Sequence, residues 1–393
     1  MANRTATAPP AEQPSGGGLV DHHCHGVARG PLTASRFTAY LTESDAPAAD
    51  GTTFFDSQLG FAVRRWCPPL LGLPAHCAPA DYLARRAALG ADEVNRRLLG
   101  ATGITDYVVD TGLADDLTTH HELARAGGGR AHEIVRLETL AEHTADKSGS
   151  GREFLDGLQE AVHAAARSAV GFKSVAAYRH GLDFDPAPPG PGELRAATDG
   201  WLAGREPGGR LHDPVLLRHL LWTAAGTGLP LQIHTGFGDP DLRLHRSDPA
   251  LLTDFIKAVR PTGCPLVLLH AYPYHRNAAY LAGVFPHVYA DVGLTLSHTG
   301  ARATAVLAEV LELAPFGKVM FSTDAYGLPE LYVAGTRLFT RALGQLTQAW
   351  VDDGAWPAAE VPRIAGLIGS ETARRLYRLP AWTPGCVRLR EAA

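Results

Sequence analysis

The sequence predicts an α/β chain folded as one (β/α)8 TIM barrel, and three observations predict it. Eight short apolar runs punctuate the 393 residues. Amphipathic stretches of helical period lie between most of these runs. Five of the runs end in a metal-ligand residue type or a close relative of one, as at His25, Lys173, His234, His270 and Asp324. Strands that alternate with helices close into a parallel barrel, and the C-terminal rim of such a barrel gathers its strand-end side chains.

The predicted strands run from 19 to 25, 106 to 111, 131 to 138, 170 to 175, 230 to 235, 265 to 271, 287 to 293 and 318 to 325. Between 153 and 168, Phe154, Leu155, Leu158, Val162 and Ala165 share one helical face, and 213 to 227 and 249 to 259 follow the same logic. Two intervals are too long for simple connections. Residues 31–103 predict a helical insertion after the first strand, with helical patterns such as 81 to 99. Residues 183–209 predict an insertion after the fourth strand that is rich in proline and glycine, including Pro186, Pro188, Pro189 and Pro191. Both insertions leave a strand's C-terminal end and are placed to cover a site. For the second, surface decoration is an equal reading. The barrel domain is expected over 19–380, with a disordered tail over 1–18 that is rich in Ala, Pro, Thr and Gly, and a C-terminal tail over 381–393.

Bulk composition narrows the function classes. A hydrophobic content of 45% with 20% charged residues describes an ordinary globular chain with ample core. A formal net charge of -5 gives no electrostatic reason to expect nucleic acid or an acidic membrane surface. No apolar run reaches the roughly 18 residues needed to span a bilayer. The five cysteines, Cys24, Cys67, Cys77, Cys264 and Cys386, match no zinc-knuckle spacing, and a reducing cytoplasm fits them best. The expected partners are a small-molecule substrate and, for assembly, further copies of the chain as a homo-oligomer.

The chemistry begins at Asp21-His22-His23-Cys24-His25. Strand side chains alternate between faces, so His23 and His25 project the same way. Two imidazoles at one point suit zinc and its neighbours. On the same alternation His22 faces away and reads as structural. His234 ends an apolar strand and precedes Thr235-Gly236-Phe237-Gly238, which marks it as a third ligand. Asp324 is placed to touch both a metal and a water, binding through one oxygen and taking a proton through the other. His270 reads either as a ligand to a second metal or as a neutral imidazole that polarises the substrate carbonyl. Three readings stand for Lys173: an N-carboxylated bridge between two metals, an anchor for a substrate carboxylate, or a rim lysine paired with Glu138 or Asp110. Gly127-Gly128-Gly129 is a plain loop with no phosphate-binding lysine after it, and Ser174 and Ser322 lack a nucleophile elbow.

These residues resemble the amidohydrolase superfamily, with Asp21, His23 and His25 matching its Asp-x-His-x-His signature. Within it the chain is similar to the FluG-type and nodulin-type branch, where the unit is often fused to a glutamine-synthetase-like domain. The runs that carry this include Gly171 to Arg179, Gln232 to Asp241, Leu268 to Tyr274, Val288 to Gly293, and Ser322 to Ala325 with Pro329-Glu330. Asn277 departs from the pattern, standing where an acidic residue is expected. No synthetase-like domain follows in this sequence, so a ligation partner is expected to be a separate protein.

The resemblance implies a metal-dependent hydrolase that cleaves a small polar amide. His23, His25, His234 and Asp324 would bind one divalent ion, zinc first, or two ions if Lys173 is carboxylated. Bound zinc can lower the pKa of water to about 7. Asp324 would act as the base, His270 would stabilise the oxyanion, and Lys173 would be the third catalytic group. Tyr178, Arg179 and Tyr272 are the candidate substrate contacts. The fusion pattern points to γ-glutamyl amides. The rival readings are a metal-dependent decarboxylase of a small acid and a catalytically silent barrel that binds a partner.

Overall fold

Eight parallel strands pair in chain order, β1 to β8, each hydrogen-bonded to the next. They are β1 (Leu19–Cys24), β2 (Ile104–Asp110), β3 (Arg130–Arg136), β4 (Gly171–Ser174), β5 (Leu231–Thr235), β6 (Leu266–His270), β7 (Val288–Asp291) and β8 (Val319–Met320). This computed structural model describes residues 18–113 and 116–382. The expected tail over 1–18 lies outside the described residues except for Gly18, and the C-terminal tail lies outside them except for Ala381 and Trp382. The chain after β8 hydrogen-bonds back to β1. His22 N donates to Phe321 O at 3.3 Å, Asp324 N to His23 O at 3.0 Å and His25 N to Ala325 O at 2.9 Å. The sheet is thus the predicted (β/α)8 barrel.

Strands buried on both faces read as near-continuous apolar runs, which is why β5 and β6 were legible as Leu-Gln-Ile-His-Thr and Leu-Val-Leu-Leu-His. Val20, Val108, Ile134, Val267, Leu269 and Met320 form an inner cluster, which Ala373, Tyr377 and Leu379 plug from the C-terminal segment. A much larger cluster packs the strands' outer faces against the helices. Strand ends differ from the prediction by a few residues. The expected eighth strand shrinks to Val319–Met320, because Phe321 to Ala325 bond back to β1 and to the Asp21 carboxylate instead of extending the ladder. Glu138 leaves the third strand and enters the helix Leu137–Ala145.

The helices follow their local signals. Ser150 caps Gly151–Ala165 by accepting Glu153 N–H, and Asp213 caps Pro214–Ala225 by accepting from Val215 and Leu216. The pattern over 81–99 divides into Pro79–Leu89 and Ala91–Gly100 at Gly90, whose φ of +79° favours glycine. The insertion after β1 is helical, as expected, and is fastened to the helix Pro329–Asp352 through one buried carboxylate. Glu330 Oε1 accepts from Arg86 Nε and Tyr82 OH, each at 2.8 Å. The proline- and glycine-rich insertion after β4 holds a helix of its own, Pro191–Gly204, which starts on Pro191.

One irregularity positions the site. The register of β1 against β2 slips between Asp21 and Cys24. A bulge breaks the two-residue alternation, so His22 and His23 both turn inward. His22 Nδ1 lies 3.3 Å from Tyr377 OH in the inner cluster, correcting the expectation that it faces away.

Candidate metal centre

His23, His25, His270 and Asp324 meet at the C-terminal rim. Asp324 Oδ1 lies 3.1 Å from His23 Nε2 and 3.3 Å from His25 Nε2, and its Oδ2 lies 3.3 Å from His270 Nε2. Two of these side chains occupy left-handed backbone, with φ +49° at Asp324 and +67° at His270. Non-glycine residues rarely adopt this region, and such strain concentrates where a fold fixes a functional side chain. Lys173 joins the group with Nζ 3.2 Å from His23 Nε2. His234 stands beside it, its ring 5.0 Å from that of His270 and 4.4 Å from that of Tyr178.

The histidines are held from behind. His23 Nδ1 contacts Gln232 Oε1 at 2.8 Å, His25 Nδ1 contacts Asp110 O at 3.1 Å, and His270 Nδ1 lies 3.3 Å from Asp291 Oδ2. Each ring therefore presents Nε2 to the centre, with a fixed orientation of the kind metal-binding histidines have.

Electrostatics reinforce the picture. Burial, then the Lys173 charge, pushes His23 down to about 3. Burial and neighbouring imidazoles likewise hold His234 well below the usual histidine range. Burial also lowers Lys173. Burial alone would raise Asp324, but His270, His23 and His25 outweigh it and hold this carboxyl well below its ordinary value. The result is uncharged His23 and His234 rings beside an ionised Asp324 carboxylate.

A divalent cation fits this donor set. His234 Nε2 and His270 Nε2 are buried without a hydrogen-bond partner, and an unmet buried polar atom is costly. Imidazole nitrogens with one carboxylate oxygen are the donors that zinc and its neighbours take. Beside Asp324 opens a cavity of about 370 Å³ whose wall includes Tyr40, Glu43, Asp239, His298 and Tyr326. Glu43 comes from the insertion after β1, so that insertion does cover the site. Enclosure, with Asp324 and Asp239 nearby, pushes the half-buried Glu43 up to about 7.

The family model named Amidohydrolase matches residues 20–379. The chain belongs to the amidohydrolase family. It is 29% identical over 408 residues to Protein fluG of Emericella nidulans, covering 93% of this chain and 46% of that protein. This amidohydrolase thus spans about half the length of the curated relative it matches. Among solved structures it is similar to a protein of Lactobacillus casei ATCC 334 assigned as a metal-dependent hydrolase. The identity is 31%, the coverage 92% of this chain and 95% of that one, and the TM-score 0.80. Glucuronate isomerase from Caulobacter crescentus shares the fold, with 16% identity, 93% coverage of both chains and a TM-score of 0.66.

The remaining predicted contacts of this amidohydrolase are placed variously. Tyr178 lies against His234. Arg179 is buried, with Nη2 3.2 Å from Glu142, and is absent from the cavity wall. Tyr272 stacks on His275, with ring centroids 5.3 Å apart. Lys173 pairs with neither Glu138 nor Asp110 by a direct hydrogen bond among the described residues. Asp110 instead accepts from Arg136, and Glu138 from Ser174. Asn277 donates to both oxygens of Asp248 at 3.0 Å, so the departure from the family pattern supports the loop after β5. Sequence reading assigned no role to Gln232, Asp291, Glu43 or His298. The first two carried a signal, being polar residues inside apolar strands. The latter two lie on connections and carried none.

Proposed function

We propose that this chain is a metal-dependent hydrolase that cleaves a small polar amide, with γ-glutamyl amides the first substrates to test. The observation that carries the reading is the approach of three imidazole Nε2 atoms to within 3.3 Å of the two Asp324 oxygens, beneath an open cavity. His23, His25, His234 and Asp324 would hold one divalent ion, zinc in our reading. Bound there, it supplies a more acidic water and a positive charge that polarises the amide carbonyl.

The chain's own residues handle the protons. Asp324 takes the proton of the attacking water as the water oxygen bonds to the carbonyl carbon. His270 Nε2, 3.3 Å from Asp324 Oδ2, passes a proton on to the leaving nitrogen as the C–N bond breaks. Asp291, 3.3 Å from the far side of that ring, stabilises the imidazolium formed on the way. This replaces the oxyanion role expected of His270, because a neutral ring with its hydrogen on the Asp291 side has none to offer at Nε2.

The test is a panel of γ-glutamyl amides incubated with the zinc-loaded protein. Release of free glutamate and amine in equal amounts is expected. Carbon dioxide release from small aromatic or aliphatic acids, without amide cleavage, would replace hydrolysis with decarboxylation.

A further inference from the structure

A buried chain of polar contacts runs behind the centre from one histidine to another. Gln232 Nε2 donates to His22 O and to Tyr377 OH, each at 2.9 Å. Both hydrogens of the amide are therefore used, and its oxygen faces His23 Nδ1 at 2.8 Å as an acceptor. An amide oxygen cannot donate, so His23 must carry its hydrogen on Nδ1 and leave Nε2 bare. Lys173 Nζ, which can only donate, approaches that same Nε2 at 3.2 Å and requires the same tautomer independently. Beyond Gln232 the polarity continues. Tyr377 OH has accepted one hydrogen bond, so its own hydrogen is directed to His22 Nδ1 at 3.3 Å. His22 then carries hydrogen on Nε2, 3.3 Å from Asp291 Oδ1. The other oxygen of Asp291 accepts from the His270 backbone N–H at 3.2 Å and lies 3.3 Å from His270 Nδ1.

We propose that Tyr377 is a positioning residue that, through Gln232, helps to fix the tautomer of His23 from the closed end of the barrel. It does not touch the centre. Tyr377 follows the helix Thr372–Leu376 and is buried in the inner cluster, so the C-terminal segment helps to set which nitrogen His23 presents at the opposite rim. The mechanism is one of direction. Removing the Tyr377 hydroxyl deprives one Gln232 hydrogen of its acceptor. The His22 carbonyl is then the one acceptor that still holds the amide's orientation, and a flipped amide would accept nothing from Nδ1. In that flipped form His23 would carry its hydrogen on Nε2 and lose the lone pair that binds an ion. Partners of this kind typically contribute 10–100-fold in metal affinity.

This inference rests on the metal-centre reading, and two measurements separate their fates. In metal-free protein labelled with 15N-histidine, nitrogen chemical shifts report each ring's tautomer, with His23→Gln identifying the His23 signals. The expected result is hydrogen on Nδ1 and a bare Nε2. A wild-type His23 with hydrogen on Nε2 overturns the inference without any variant or metal. Zinc affinity is then read by competition with a chromophoric chelator. Tyr377→Phe should weaken it about 10–100-fold, while Tyr107→Phe, which removes a buried hydroxyl outside this chain of contacts, should leave it unchanged. A merely structural role for Tyr377 would lower the melting temperature of the metal-free protein and leave zinc affinity within twofold of wild type, and that outcome also overturns the inference. A wild-type protein that binds no divalent ion overturns the metal centre instead, and the tautomer still decides the positioning claim.

Discussion

Asp106 tests whether the closed end of the barrel is held by charge. Its side chain is fully buried, and three cation-forming groups converge on it. Arg130 Nε lies at 2.8 Å, His132 Nε2 at 3.0 Å and Arg374 Nη2 at 2.7 Å. Burial pushes the carboxyl up, but the hydrogen bonds from His132 and Arg130 and the charge of Arg374 outweigh it, lowering it from 3.8 to about 2. A drop of that size corresponds to about 2 kcal/mol. Because the folded value is the depressed one, this stability is fully present above the unfolded value near 4 and is lost as pH falls through about 2. About 1 kcal/mol should already be gone at pH 3. Asp106→Asn should therefore lose roughly 2 kcal/mol at pH 7 and show a flatter decline between pH 5 and pH 3, read by urea unfolding at each pH. Turnover at pH 7 should not change, because barrel chemistry sits at the other face. A variant as stable as wild type at pH 7, with the same acid profile, would refute the reasoning.

Three further outcomes concern the centre. Asp324→Asn keeps an oxygen that can ligate but loses the proton acceptor, so turnover should fall roughly 10²–10⁴-fold; wild-type turnover would shift the base role to His270. His23→Ala combined with His25→Ala should abolish metal content by elemental analysis while far-UV circular dichroism stays that of a barrel; full occupancy in that variant would refute the site. Lys173→Ala separates the three readings of that lysine: loss of one metal from two marks a carboxylated bridge, unchanged metal with KM raised for acidic substrates alone marks a carboxylate anchor, and unchanged metal and kinetics leave packing.

The fold was legible because parallel strands buried on both faces write themselves as apolar runs, and helix starts carry caps such as Ser150 and Asp213. The strand-end residues were legible for a related reason. A histidine or aspartate at the end of an apolar run has few other uses, and His23, His25, His270 and Asp324 do converge. What stayed hidden depends on geometry that no periodicity encodes. The bulge after Asp21 turns His22 inward against the two-residue alternation. Tyr377 lies 145 residues from Gln232, the group it contacts, so no local pattern joins them. Glu43 reaches the cavity from a long insertion, and the length of an insertion does not say where it folds.

The polar content of the barrel interior explains why the C-terminal segment belongs to the enzyme's working structure. Beneath the centre lie His22, Gln232 and Asp291, all buried, where a barrel of this kind commonly packs branched apolar side chains. Such groups destabilise a core unless each finds a partner. Ser322 Oγ donates to Asp291 at 3.0 Å and Gly293 N–H at 2.7 Å, and Thr323 N–H donates to Asp21 at 2.9 Å. Gln232 finds one in the His22 carbonyl of β1 and another, shared with the His22 ring, in the Tyr377 hydroxyl, which no strand supplies. The segment that brings it also closes the inner cluster with Ala373 and Leu379 and so excludes water from these contacts. Water at that end would offer Gln232 a freely rotating partner in place of a fixed hydroxyl. A packed plug keeps that hydroxyl in one place, and together with the His22 carbonyl it turns the Gln232 oxygen toward His23.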